Sequence, residues 1–122
     1  MEAKNCAVKL NKNFEFRRAY RGKFKASHIL VTYVVKNRYK KPRFGITATK
    51  KIGKAHLRNR ARRVITAAAR ENIPLIKGGY DIVFVARGKT PYVKSQQVSR
   101  HMKKHLCELL GDRFEKNTSE AD

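Results

Sequence analysis

Apolar positions in this chain switch between helical and strand spacing, and each switch marks an element. In SHILVTYVV, residues 27–35, β-branched and aromatic residues crowd together, which predicts a strand. Alternation puts Ile29, Val31, Tyr33 and Val35 on one side and Leu30, Thr32 and Val34 on the other. The charged stretch KNRYKKP, residues 36–42, reads as a hairpin loop, with FGITAT, residues 44–49, as the returning strand. Over roughly 55–71, Leu57, Ala61, Val64, Ile65 and Ala68 recur at helical spacing. Pro74 ends that helix and Gly78-Gly79 marks a turn. YDIVFVA, residues 80–86, is nearly continuous apolar sequence, as in a strand buried on both faces. Pro91 precedes a last helix, about 92–110, with Val98, Met102, Leu106 and Leu109 on its apolar face. Near the start, Asn11 or Asn13 caps a short helix that Gly22 stops. Phe16 and Tyr20 lie four apart on it and share a face.

These elements predict an α+β fold, a two-layer α/β sandwich in the order α-β-β-β-α-β-α. The long helix makes strands 44–49 and 80–86 parallel neighbours. Such a crossover is right-handed in ~98% of cases. The 122 residues, 41% of them hydrophobic, support one core and one domain, residues 1–110. The polar, acidic stretch 111–122 is expected to fray.

Charge changes the picture. Thirty Lys and Arg face nine Asp and Glu, for a net charge of +21. Residues 1–70 carry 21 of those cations and two acids, Glu2 and Glu15. Phe, Tyr, Ile, Leu and Val interleave with them, so the charge is mounted on a folded surface rather than a disordered tail. Such a surface attracts a polyanion, nucleic acid before membrane. No apolar run reaches spanning length, and the start lacks the apolar stretch of a secretory signal. Cys6 and Cys107 suit reduced thiols, and a cytoplasmic location is expected.

The most concentrated signal is TKKIGKAHLRNRARR, Thr49 to Arg63. Lys50, Lys51, Lys54, Arg58, Arg60, Arg62 and Arg63 follow one another with no acid between them. A strand end, a Gly-bearing turn and a helix start add backbone amides and a positive helix terminus. Arg grips phosphates bidentately or stacks on bases, and Asn59 adds a neutral donor and acceptor. A merely solvated charged face would carry acids for i,i+4 pairing, and none is present.

The run Lys50-Lys51-Ile52-Gly53-Lys54-Ala55, followed by Arg58-Asn59-Arg60 and Arg62-Arg63, resembles the signature of the bacterial ribonuclease P protein subunit. Leu10 with Phe16 and Tyr20, Tyr33 in an apolar strand, and Asp81-Ile82-Val83 before Ala86-Arg87 extend the resemblance over about residues 9–110. Thr66 departs from it, standing where the family usually has Arg or Lys. Tyr20 stands where Phe is common.

The resemblance implies a fold like a small ribosomal-protein domain, with an uncommon left-handed βαβ crossover. It implies a subunit of an enzyme that cuts the 5′ leader from precursor tRNA, the RNA subunit doing the chemistry. Lys50, Lys51, Lys54, Arg58, Asn59, Arg60, Arg62 and Arg63 would bind that RNA. Phe16, Tyr20, Tyr33, Lys51, Arg58 and Lys89 would bind the single-stranded leader, the aromatics as sequence-tolerant stacking platforms. Phe14 belongs to the core or the cleft edge. The implied partners are ribonuclease P RNA and precursor tRNA, in a 1:1 particle with one protein. Mg2+ would be held mainly by RNA phosphates.

Catalysis by the protein alone finds little support. Two-metal nucleases need clustered carboxylates, and the basic half has only Glu2 and Glu15. Asp81 starts a buried strand and is expected to cap or pair with an Arg. His28, His56, His101 and His105 are the acid–base candidates. His101 and His105 share a helix face but lack a third metal ligand nearby. The main alternative is a ribosomal or RNA-assembly protein without a catalytic partner. A DNA-binding reading lacks helix-turn-helix spacing.

Overall fold

The computed structural model describes residues 8–10 and 13–115. Its elements are β1 (Val8–Lys9), α1 (Asn13–Tyr20), β2 (Lys23–Ala26), β3 (Leu30–Lys36), β4 (Arg43–Thr47), α2 (Ala55–Asn72), β5 (Tyr80–Ala86) and α3 (Ser95–Leu110). The strands form one sheet in the order β1-β4-β5-β3-β2. The expected α+β architecture is the one adopted, with β4 and β5 as parallel neighbours around α2.

Alternation along β3 and β5 sorts side chains to the two faces of the sheet. Leu30, Val34, Ile82 and Phe84 join Ile65, Ile73, Met102 and Leu106 in the main core beneath α2 and α3. Tyr33, Val35, Val83 and Val85 turn to the other face, where α1 packs through Ala19 and Phe16.

The hairpin expected between 27–35 and 44–49 does not form. β5 lies between β3 and β4, antiparallel to the first and parallel to the second. The physical reason is burial: β5 is the most apolar strand and takes the place covered on both faces and paired on both edges. β3 pairs instead with β2, a four-residue strand that fills the third strand place of the order α-β-β-β-α-β-α at a position the apolar pattern does not mark. β3 begins at Leu30 rather than Ser27, because the Ser27 side chain accepts from the amides of Ile29 and Leu30 and closes a turn. Ile29 therefore leaves the alternation and enters the main core.

Two ends also differ from expectation. α3 starts at Ser95, because Thr90–Tyr92 forms a separate 3-10 turn around Pro91. The packed chain runs past Leu110: Phe114 is buried and bridges to Ile76, and the Glu115 amide donates to the Leu75 carbonyl. Residues 116–122, like Asn11, lie outside the described residues.

Candidate nucleic-acid interface

The approach to α2 is built for an anion. Thr49 caps a 3-10 turn over Lys50–Ile52 by accepting from the Lys51 amide at 3.3 Å. Gly53 follows at φ +136°, a conformation that favours glycine. A Cβ there would also stand 2.8 Å from Leu57 Cδ1. Arg58 Nη1 then donates to the Gly53 carbonyl at 2.9 Å and braces the turn against the helix. No side chain caps α2 at Lys54 and no acid occupies its first turn, so the positive end of an 18-residue helix is left open.

Lys50, Lys51, Lys54, Asn59, Arg60, Arg62 and Arg63 are exposed, and Arg58 is half-buried. The ion pairs found among the described residues are Arg18–Asp81, Lys25–Glu108, Arg43–Glu15 and Arg43–Asp81. None neutralises a cation of 50–63. Asn59, Arg62, Arg63 and Arg70 line an open groove of about 600 Å³ along α2, with Thr66 in its wall. Thr66 thus supplies a neutral hydroxyl between cations.

A second groove, of about 440 Å³, runs between α1 and β4. Phe16 and Tyr20 form one wall, Ile46, Thr47 and Ala48 the other, and Arg62 reaches in from α2. Glycine at 45 makes room for the Phe16 ring, since a Cβ there would stand 2.5 Å from Phe16 Cζ. Tyr20 Oη lies 2.7 Å from Thr47 Oγ1 and ties the helix to the strand.

The aromatic surface continues beyond the groove. Tyr20 meets Tyr33 edge-on at 5.0 Å, and Tyr33 meets Phe24 at 5.3 Å. Phe24, 56% exposed, was not anticipated. Its only sequence signal is one aromatic flanked by two lysines, which suggests neither a core nor a strand. Several site expectations shift accordingly. Arg62, rather than Lys51 or Arg58, is the α2 cation lining the groove, because it lies one turn further along α2, beside Ala48 at the end of β4. Tyr33 sits past the groove's end, and Lys89 stands exposed on the loop after β5, outside it. Phe14 is neither core nor groove wall; it is 58% exposed.

A buried ionic cluster fixes α1 in place. Asp81, fully buried, accepts from Arg43 Nε at 2.9 Å, Arg43 Nη2 at 2.8 Å, Arg18 Nη1 at 3.2 Å and Asn37 Nδ2 at 2.8 Å. Arg43 Nη1 reaches Glu15 Oε2 at 3.0 Å, and Arg18 also donates to the Lys36 carbonyl. The hydrogen bond to Asp81, with smaller help from Glu15 and against the cost of burial, raises the Arg43 pKa. Asp81 is thereby consumed in holding α1, β4 and β5 together, as its expected pairing with an Arg required.

One histidine has a structural partner too. His105 is buried, with Nδ1 2.9 Å from Thr32 Oγ1, and burial, aided by His101, lowers its pKa to about 4. His56 is exposed on the first turn of α2. Among the described residues no group of three or more His, Cys, Asp or Glu is placed to hold a metal ion. No helix among them is long and apolar enough to cross a membrane.

Fold and surface together define a class, the small basic α+β RNA-binding proteins. The family described as Ribonuclease P matches residues 5–110. The ribonuclease P protein component of Clostridioides difficile strain 630 is 44% identical over 96 residues, covering 77% of this chain and 84% of that relative. That of Clostridium botulinum strain 657 is 45% identical over 84 residues, covering 67% and 76%. The solved RNase P protein of Staphylococcus aureus superposes with a TM-score of 0.71 at 29% identity, over 81% of this chain and 92% of that one. That of Thermotoga maritima gives 0.68 at 28%, over 79% and 92%. This chain belongs to the ribonuclease P protein family, and with it to the ribonucleoprotein that processes tRNA.

Proposed function

We propose that this chain binds ribonuclease P RNA through α2 and the 5′ leader of precursor tRNA through the α1–β4 groove. It thereby promotes 5′ maturation of tRNA by a catalyst made of RNA. The observation that carries the reading is the junction at Arg62, which lines both the α2 groove and the aromatic groove. One protein then spans two RNAs that repel each other.

Lys50, Lys51, Lys54, Arg58, Asn59, Arg60, Arg62 and Arg63 act on phosphates, and the open start of α2 adds its amides. Phe16 and Tyr20 offer faces to unstacked bases, with Tyr33 and Phe24 as the continuation. Stacking tolerates any base, as leaders of varied sequence require. Lys89 extends the cationic surface toward the leader backbone. Mg2+ is held mainly by RNA phosphates, while the protein's cations lower the repulsion between the two RNAs. One protein per RNA suffices for this geometry. Asp81 is held in its ion cluster and His105 is buried, and in this reading the cleaving groups come from the RNA.

Reconstitution with a bacterial ribonuclease P RNA at low magnesium tests the reading. Cleavage at the 5′ side of precursor tRNA is expected only when both RNA and protein are present. Tight RNA binding without stimulation would make the chain a ribosomal or assembly protein instead. Cleavage by the protein alone would overturn the division of labour.

A further inference from the structure

The aromatic strip leads somewhere. Phe24 lies on β2, the edge strand of the sheet, and faces Tyr33 on the α1 side. The next residue, Lys25, points to the opposite face, where its Nζ sits 3.7 Å from Glu108 on α3. There a groove of about 660 Å³ opens between β2, the turn after it and α3. Lys25, His28, Arg100, His101 and Lys104 line it, and Glu108 is the one carboxylate in its wall. Arg100, Lys104 and His28 are exposed, and His28 meets His101 edge-on at 5.5 Å. Ser27 Oγ, 2.9 Å from His101 Nδ1, fixes that ring. Neither the α2 surface nor the aromatic groove includes any of these side chains.

The geometry points to a second phosphate site here, in which the distal part of a single-stranded leader crosses β2 at Phe24 and lays its phosphodiesters on Lys25, His28, Arg100, His101 and Lys104. The inference rests on the leader reading of the aromatic groove. Single-strand chemistry favours it over duplex, because the path turns over a strand edge with nothing beyond it, and a base stacked on Phe24 delivers the next phosphate beside Lys25.

The imidazoles give the site a signature. Burial lowers the His101 pKa, with smaller contributions from His28, Arg100 and Lys104. His101 is therefore neutral near pH 7 in the free protein. A phosphate against the ring favours the charged form. His28, Arg100 and Lys104 oppose that protonation, and Lys25, Glu108 and the buried His105 share the groove wall. Binding at this site takes up protons and strengthens as pH falls from 7.5 towards 6.

The experiment uses the reconstituted holoenzyme and precursor tRNAs with two leaders, one just filling the aromatic groove and one several nucleotides longer. The double variant Arg100→Ala/Lys104→Ala is expected to lose about tenfold in affinity for the long leader, with a salt slope shallower by about two. Short-leader affinity and RNA-subunit affinity stay as they were. His101→Asn removes the added pH dependence of the long leader. If the double variant weakens RNA-subunit binding instead, the groove belongs to that RNA and the inference falls. It falls equally if long and short leaders respond alike. If Phe16→Ala abolishes leader dependence while the double variant does not alter it, this site alone is wrong. No leader dependence in the unaltered protein would remove both readings.

Discussion

Tyr20 Oη lies 2.7 Å from Thr47 Oγ1, so the residue offering a ring to the groove also closes one end of it. Ring and hydroxyl have separable jobs. Tyr20→Phe keeps the ring and is expected to cost about 0.5–1 kcal/mol of stability, with precursor tRNA affinity little changed. Tyr20→Ala removes both, and should lose a further ~1–3 kcal/mol of leader binding. Denaturation and binding titrations on the same variants separate the two effects.

Gly45 gives a test that substitutes none of the aromatic residues. A Cβ there would stand 2.5 Å from Phe16 Cζ, so Gly45→Ala has to displace the ring. The expected outcome is weaker binding of precursor tRNA with mature tRNA unaffected, as for Phe16→Ala. Equal losses on both tRNAs would mean that Phe16 acts only as packing.

Arg58 and Arg60 should not behave alike. Arg58 is held to the Gly53 carbonyl at 2.9 Å, whereas Arg60 is exposed. Arg60→Ala is expected to reduce the salt slope of RNA-subunit binding by about one, with stability unchanged. Arg58→Ala should show the same slope change and a loss of roughly 1 kcal/mol in stability, because the turn loses its brace. Salt-dependent binding paired with urea titration reads both.

Asp81 carries the largest stability effect expected from a single residue. Asp81→Asn leaves the largely buried Arg43 with Glu15 as its remaining anion and frees the half-exposed Arg18, and breaking such a cluster costs about 3–5 kcal/mol. Shape is kept, so the measurement is the urea midpoint rather than activity.

His105 makes the fold sensitive to acid. Its pKa is about 4 in the folded protein and near 6.5 when unfolded, so the unfolded chain binds the extra proton between those values. The contribution to stability is complete above pH ~6.5 and lost progressively as pH falls towards 4, by up to about 3 kcal/mol. His105→Gln should flatten that part of the profile, measured by chemical denaturation across the same range.

Sequence alone carried α2, α3 and β5 clearly, because a helical stripe and a continuous apolar run are local signals. The α2 cations were legible for the same reason. What escaped was long-range. The loop 36–42 resembles a hairpin turn, and only the pairing of β5 with both β3 and β4 shows otherwise. β2 hid because all four of its residues are exposed, and Phe24 hid with it. Arg62 was assigned to one surface, since its reach into the α1–β4 groove depends on how α2 crosses the sheet. Asp81 was expected to pair with an Arg, yet nothing local singles out Arg43, 38 positions away.

The central position of β5 also orders events in time. Residues 80–86 hold β3 and β4 apart, so the sheet cannot close until they have been synthesised. The 21 cations of residues 1–70 all emerge earlier. For a few seconds of translation, at about 5–20 residues per second, the nascent chain is a polycation without its sheet. It attracts polyanions before it has the shape to choose among them. Selectivity is thus acquired last, and it arrives with the half of the chain whose charges nearly cancel.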